Sequence, residues 1–209
     1  MDFAFSDEQE EFRDTLRRFF EEKAPSTEVR RLMETSEGYD PAVWKQMGEE
    51  LGLQGIHLPE EYGGQGFGFL ELGIVLEEMG RVLLPSPFYA TVCLAANAIL
   101  NGGSEAQKQA LLPGIAAGET IATFALCEDS GRFDAVGITL EAVPEGAGCR
   151  LDGHKSFVID GHVADCLVVA ARLAGSAGTD GITLVTVRSD DPGVAATPLE
   201  TMDELRKQA

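Results

Sequence analysis

The stretch with the most chemistry is Phe124-Ala-Leu-Cys-Glu-Asp-Ser-Gly-Arg-Phe-Asp134. It starts as an apolar strand and breaks into an acidic, glycine-containing turn that carries a thiol and a guanidinium. A second stretch, Leu58-Pro-Glu-Glu-Tyr-Gly-Gly-Gln-Gly66, is glycine-rich and precedes a helix. It lacks G-x-G-x-x-G spacing and no Walker lysine follows, so it is a poor nucleotide-phosphate loop. It reads as a tight loop whose glycines admit close packing. Within it, Glu60 and Glu61 are adjacent, and neighbouring carboxylates do not face one another for acid–base work. Ser130, Ser156 and Ser176 lack a G-x-S-x-G elbow. His154 beside Lys155 has the chemistry to bind an anion, although a solvated hairpin flank is the commoner use. The four cysteines form no C-x-x-C pair, and none of the three histidines lies near a cysteine pair at finger spacing. Neither a metal site nor a disulfide framework is indicated.

The elements that position these residues change character along the chain. Ser6 with Gln9 is a capping-box pattern, and Phe12, Leu16, Phe19 and Phe20 follow at helical spacing until Ala24-Pro25. A second helix starts at Asp40-Pro41 and stops near Leu51-Gly52. A third covers about Phe69 to Leu84, a fourth Pro87 to Leu100, and a fifth begins at Ser104 and fades at Pro113-Gly114. From Thr120 the pattern is β-rich: Thr120 to Leu126, Ile138 to Val143, a hairpin over Arg150 to Ile159 with Asp152-Gly153 at its turn, Cys166 to Ala171 and Ile182 to Val187. Helices first and strands second predict an α+β chain: an all-helical domain over residues 1–118, then an incomplete, antiparallel β-barrel-like domain over 119–209.

Composition narrows the partners. The formal charge is −19 over 209 residues, which repels phosphate backbones and anionic headgroups and argues against nucleic acid and membrane partners. A local cluster of arginine or lysine would still accept an anionic small ligand. No apolar run is long enough to span a bilayer and the acidic N-terminus has no apolar signal core, so a cytoplasmic location is expected.

The order of motifs resembles the acyl-CoA dehydrogenase family over essentially the whole chain. Asp2-Phe-Ala-Phe-Ser-Asp-Glu-Gln9 is similar to that family's first helix. Gly55-Ile-His-Leu-Pro-Glu-Glu-Tyr-Gly-Gly-Gln-Gly66 with Glu77-Glu-Met-Gly-Arg81 resembles its N-terminal signature. Phe124-Ala-Leu-Cys-Glu128 resembles the flavin-side strand opening the middle domain. Asp152-Gly-His-Lys-Ser-Phe-Val-Ile-Asp-Gly161, with Ala164-Asp165 and Val168-Val-Ala-Ala-Arg172, resembles the second flavin-side segment. The resemblance implies FAD held between β and helical domains, an acyl-CoA substrate oxidised at its α,β-carbons, and a homo- or hetero-oligomer of related subunits. It carries cofactor contact to Phe124, Leu126, Cys127, Phe157, Val158 and Ile159, and substrate contact to Arg132 and Phe133.

The chain departs from the family pattern in three ways. Where the family reads Leu-Thr-Glu-Pro and then a small turn ending Gly-Ser-Asp, this chain has Leu126-Cys127-Glu128-Asp129 and then Ser130 to Asp134, with bulky Arg132 and Phe133. A thiol is a weaker hydrogen-bonding group than the hydroxyl it replaces. Where the family has Trp-Ile-Thr/Ser-Asn, this chain has Phe157-Val158-Ile159-Asp160, so the aromatic stays and a hydroxyl is lost. Main-chain donors do not depend on side-chain identity and are still available to a flavin. The sequence is also expected to end inside the middle domain, without the helical domain that supplies the family's catalytic glutamate, so no catalytic base is assigned. Two alternatives stand beside the flavoprotein reading: a non-catalytic partner subunit of a heteromeric dehydrogenase, and a flavin-free relative that grips an acyl-CoA or a protein helix.

Overall fold

The computed structural model describes residues 4–146 and 148–209; Asp2 and Phe3 of the opening motif lie outside them. The chain divides into two compact units. One takes in the chain up to Ser86 with Gln109–Glu119 and Asp203–Arg206; the other takes in Pro87–Lys108, Thr120–Met202 and Lys207–Ala209.

The first unit is helical. Helix α1 (Asp7–Lys23) opens on the expected box: Ser6 Oγ accepts from the Gln9 amide, and the Gln9 side chain accepts from the Ser6 amide. It buries Leu16 and Phe20. Past Pro25 the chain turns into α2 (Ser26–Met33), which the sequence reading left out. It is eight residues long and buries only Val29 and Leu32, too short a window for a periodic apolar pattern to mark a helix. Helix α3 (Pro41–Glu49) has Asp40 as N-cap, whose carboxylate accepts from the Ala42 amide at 2.8 Å. It buries Val43, Trp44 and Met47, and the Trp44 indole donates to Gly118 O at 2.8 Å. Helix α4 (Phe69–Val82) ends with Leu83 in the left-handed region (φ 56°), ahead of Pro85. Between α1 and α4, Glu78 is 1% exposed and takes hydrogen bonds from Arg17 (2.6 and 3.0 Å) and Arg81 (3.0 Å). The Arg17 hydrogen bond, with Arg81 beside it, lowers the pKa of its carboxyl against the opposing effect of burial.

The glycine-rich loop before α4 behaves as a packing device. Main-chain bonds from Gln65 to Gly55 O, Gly66 to Leu58 O and Phe67 to Ile56 O fold it back on itself. A Cβ on Gly64 would lie 2.0 Å from Leu58 O, and one on Gly55 would meet the Gly64 Cα at 3.2 Å. Only glycine fits.

In the second unit a π-helical run over Tyr89–Ala96 continues directly into α5 (Asn97–Gly102). The expected fourth helix is therefore present, but widened at its start. Helix α6 (Glu105–Ala116), whose residues from Gln109 on belong to the first unit, runs through Pro113 instead of fading there. Pro113 withholds the N–H that would bond the carbonyl four residues earlier, and bonds from Ala117 to Pro113 O and Gly118 to Ile115 O carry the helix past it to complete the last turn.

The strands are β1 (Ala122–Ala125), β2 (Glu141–Glu145), β3 (Gly148–Leu151), β4 (Cys166–Leu173) and β5 (Ile182–Arg188). Strand β4 is central. Antiparallel β5 occupies one edge of it, from Cys166 to Arg172. On its other edge β1 pairs in parallel at Cys166 to Val169, and β2 follows in parallel at Arg172 and Leu173. The expected all-helical part followed by an incomplete sheet is what forms, with mixed pairing in place of a wholly antiparallel one. The expected hairpin over Arg150 to Ile159 does not form. Strand β3 pairs instead with β2, Ala142 opposite Leu151 and Val143 opposite Arg150, across a turn at Gly146 (φ 58°). Asp152-Gly153 is a bend after the hairpin, leaving residues 154–158 outside any strand. Ala125, Leu140, Ala142, Val158, Val169 and Ala171 form a core here. Among the described residues all four cysteines are free, and no helix is long and apolar enough to cross a membrane.

Candidate functional site

Strand β1 has β4 on one side only. On its other edge Thr91, from the π-helical run, donates to Ala122 O (2.9 Å) and accepts from Ala122 N (3.1 Å). The Ala122 peptide groups therefore face away from β4, and by alternation so do those of Phe124. Past Thr91 no strand covers this edge among the described residues.

Residues 155–159 come alongside β1 and its continuation. Thr123 Oγ1 donates to Ile159 O at 2.6 Å, Ser156 N to Cys127 O at 2.9 Å, and Lys155 Nζ to Leu126 O at 3.1 Å. Two stretches far apart in sequence are thus joined, bringing together Phe124, Leu126 and Cys127 of one with Phe157, Val158 and Ile159 of the other. Phe124, Leu126 and Ile159 are half-buried. Cys127 is buried and its Sγ contacts Glu128 O at 3.4 Å, so the thiol points back at its own main chain. Phe157 is 49% exposed and sits in the left-handed region at φ 59°, as does Asp160 at φ 54°. Such backbone is strained for non-glycine residues. Val158 is buried and exchanges hydrogen bonds with Ala209 (2.8 and 3.0 Å), and Asp160 N donates to Lys207 O at 2.9 Å. Between them Ile159 lies opposite Gln208, with its own N–H directed away from that segment.

Glu128 and Lys155 brace these two stretches. Glu128 is 7% exposed and the Lys155 side chain 6%, and Nζ lies 2.7 Å from Oε1. The Glu128 carboxylate also accepts from the Thr139 and Leu140 amides (2.9–3.0 Å) and from the Thr139 hydroxyl. Burial alone would raise its pKa; these donors, Lys155 first, reverse that and hold it at about 2. Lys155 is thus neither a solvated hairpin flank nor a free anion ligand, which corrects both readings of its sequence neighbourhood. His154 is exposed and holds Asp129 at 2.6 Å. The sequence signal for the Glu128–Lys155 pair was faint: one charge at the end of an apolar strand and one before another apolar run.

The turn after Glu128 is solvent-facing. Arg132 forms a two-pronged bond with Asp134 (3.0 and 2.5 Å), and Phe133 is 70% exposed. Gly137 lets the turn close, because a Cβ there would lie 2.5 Å from the Arg132 Cβ. A cleft of about 490 Å³ beside the turn is lined by Glu128, Asp129, Thr139, Glu141, Asp152 and His154 among others. Arg172 is buried behind this region, donating to the carbonyls of Ile138, Ala135 and Gly178.

Comparison with known proteins assigns the family. Residues 6–119 match the family described as acyl-CoA dehydrogenase, N-terminal domain, and residues 123–207 match acyl-CoA dehydrogenase, middle domain. Mitochondrial isovaleryl-CoA dehydrogenase of Pongo abelii is 35% identical over 202 residues, covering 90% of this chain and 45% of that protein. The acyl-CoA dehydrogenase of Geobacillus kaustophilus superposes with a TM-score of 0.87 at 27% identity, covering 100% of this chain and 55% of the other. The ChsE4-ChsE5 complex from Mycobacterium tuberculosis superposes at 0.85 with 28% identity, covering 99% and 54%. The chain spans about half the length of the relatives it matches. With both matches contiguous along it, the chain belongs to the acyl-CoA dehydrogenase family.

Proposed function

We propose that this chain supplies the flavin-holding strand surface of an acyl-CoA dehydrogenase that oxidises an acyl-CoA thioester at its α,β-carbons. The observation that carries the reading is the surface built from β1 with residues 126–127 and 157–159, which leaves main-chain groups at the β1 edge without a strand partner. The fit to FAD is a fit of main-chain donors. Peptide groups of Phe124 on that edge, and the N–H of Ile159, are suited to the polar rim of an isoalloxazine, with Leu126 beside them as an apolar contact and the Phe157 ring as an apolar face. Val158 packs beneath, and Cys127 keeps the end of the strand in place. When bound, FAD supplies the hydride acceptor for the substrate β-carbon. Arg132 and Phe133, on the exposed turn, are the residues we assign to substrate, the guanidinium through the edge that Asp134 does not occupy for an anionic group and the ring for an apolar one. No residue of this chain is assigned as the base.

The test is direct. Purified chain titrated with FAD is expected to quench flavin fluorescence and retain yellow colour after desalting. A colourless protein that refuses added FAD overturns the reading.

A second reading is favoured by one observation. The Cys127 thiol turns back on Glu128 O, and Ile159 brings no hydroxyl, so side-chain contacts to a flavin are poorer than in the family pattern. A partner subunit that supports a heteromeric dehydrogenase without chemistry of its own would tolerate this, and solved relatives include the ChsE4-ChsE5 complex. Turnover by the full protein alone, without a co-expressed related subunit, excludes this second reading.

A further inference from the structure

Phe157 is displayed in a conformation that its own backbone disfavours. It stands half exposed at φ 59°, and strain of this kind persists only where flanking structure enforces it. On the C-terminal side, Val158 and Asp160 are tied to Ala209 and Lys207. On the N-terminal side, Lys155 is locked by Glu128 at 2.7 Å and by Leu126 O at 3.1 Å, and Ser156 N is bound to Cys127 O. Glu128 is in turn fixed by Thr139 and Leu140. The ring therefore projects from a short span pinned at both ends, and the N-terminal pin is a buried ion pair that also grips the carbonyl of the opposite stretch.

We infer that Lys155 and Glu128 are positioning residues, which hold the Phe157 ring as a pre-formed aromatic platform in fixed register with the Phe124–Cys127 strand. This rests on the flavin reading for the ligand the platform serves, but the pinning itself is a property of the protein alone. Nζ donates to the Glu128 carboxylate and to Leu126 O together, which methionine, of similar length and without a donor, does not do.

Two measurements test this, one without any ligand. With 4-fluorophenylalanine placed at position 157, the parent protein is expected to give one narrow fluorine resonance. Lys155→Met is expected to broaden or split it. Because that variant leaves Glu128 buried without its partner, the charge-neutral pair Lys155→Met with Glu128→Gln is measured beside it, since it removes the pin without stranding a carboxylate. In the second measurement, FAD affinity of the neutral pair is expected to fall about tenfold or more. Placed in a Phe157→Ala background, the same pair is expected to cause no further loss, because its effect passes through the ring. An unchanged fluorine line in the folded neutral pair overturns the inference. So do losses of affinity that simply add. If the parent takes no FAD, the proposed function fails, and the fluorine line still decides whether the pin holds the ring.

Discussion

Cys127 lies two residues past β1, within the surface we propose for flavin, with its thiol turned to the neighbouring carbonyl at 3.4 Å. A hydroxyl at this position is a stronger donor and acceptor than a thiol. Cys127→Thr is therefore expected to tighten FAD binding by a few-fold, in keeping with about 0.5–1.5 kcal/mol for a net hydrogen bond; fluorescence titration of both proteins checks it, and equal affinities would place Cys127 away from the ring. Glu128 has a pH signature of its own. Its carboxyl titrates at about 2 in the fold against 4.5 for an ordinary glutamate. As pH falls, the unfolded chain takes up the proton first, so the stabilisation is complete above about 4.5 and drains away towards about 2. Glu128→Gln is expected to flatten that part of the curve of thermal midpoint against pH, at the cost of lower stability near neutrality. A curve with the parent's slope between those pH values would show that the buried pair contributes nothing to acid sensitivity.

At the scale of elements, local signals succeeded where one short span contained its own instructions. The Ser6–Gln9 box and the Asp40-Pro41 start both appear where their residue types require. Signals failed where the deciding partner was remote. Strand β3 was expected to pair with the residues that follow it and pairs with β2 instead, because Leu151 thereby joins Ala142 at the sheet core. The loop before α4 makes a sharp prediction. Gly64→Ala forces a methyl group to within 2.0 Å of the Leu58 carbonyl oxygen, so the loop must open. Urea unfolding is expected to show a loss of about 1–3 kcal/mol, with little change in the far-ultraviolet spectrum. Stability within error of the parent would mean that the loop's close approach is not constrained.

For the whole molecule, the formal charge of −19 is the dominant electrostatic fact. Many carboxylates are partnered, as in Glu78 with Arg17 and Arg81, but the excess remains and repels itself. Raising salt from about 10 mM to about 200 mM is expected to raise the thermal midpoint by about 2–4 °C, through screening worth about 1 kcal/mol. A midpoint that falls with salt would instead show that surface ion pairs outweigh the excess charge. By itself the sequence determined the class of the chain: helices before strands, acidic surface, and motifs ordered as in the acyl-CoA dehydrogenases. Periodicity, caps and short motifs are local properties, legible within a few residues of themselves. Only the tertiary structure decided that Lys155 is buried against a carboxylate 27 residues earlier in the chain, that the Val158 N–H is already taken by Ala209, and that Phe157 is held out in strained backbone. Burial, pairing and strain depend on which distant segment arrives to cover a residue, and no short window of sequence contains that segment.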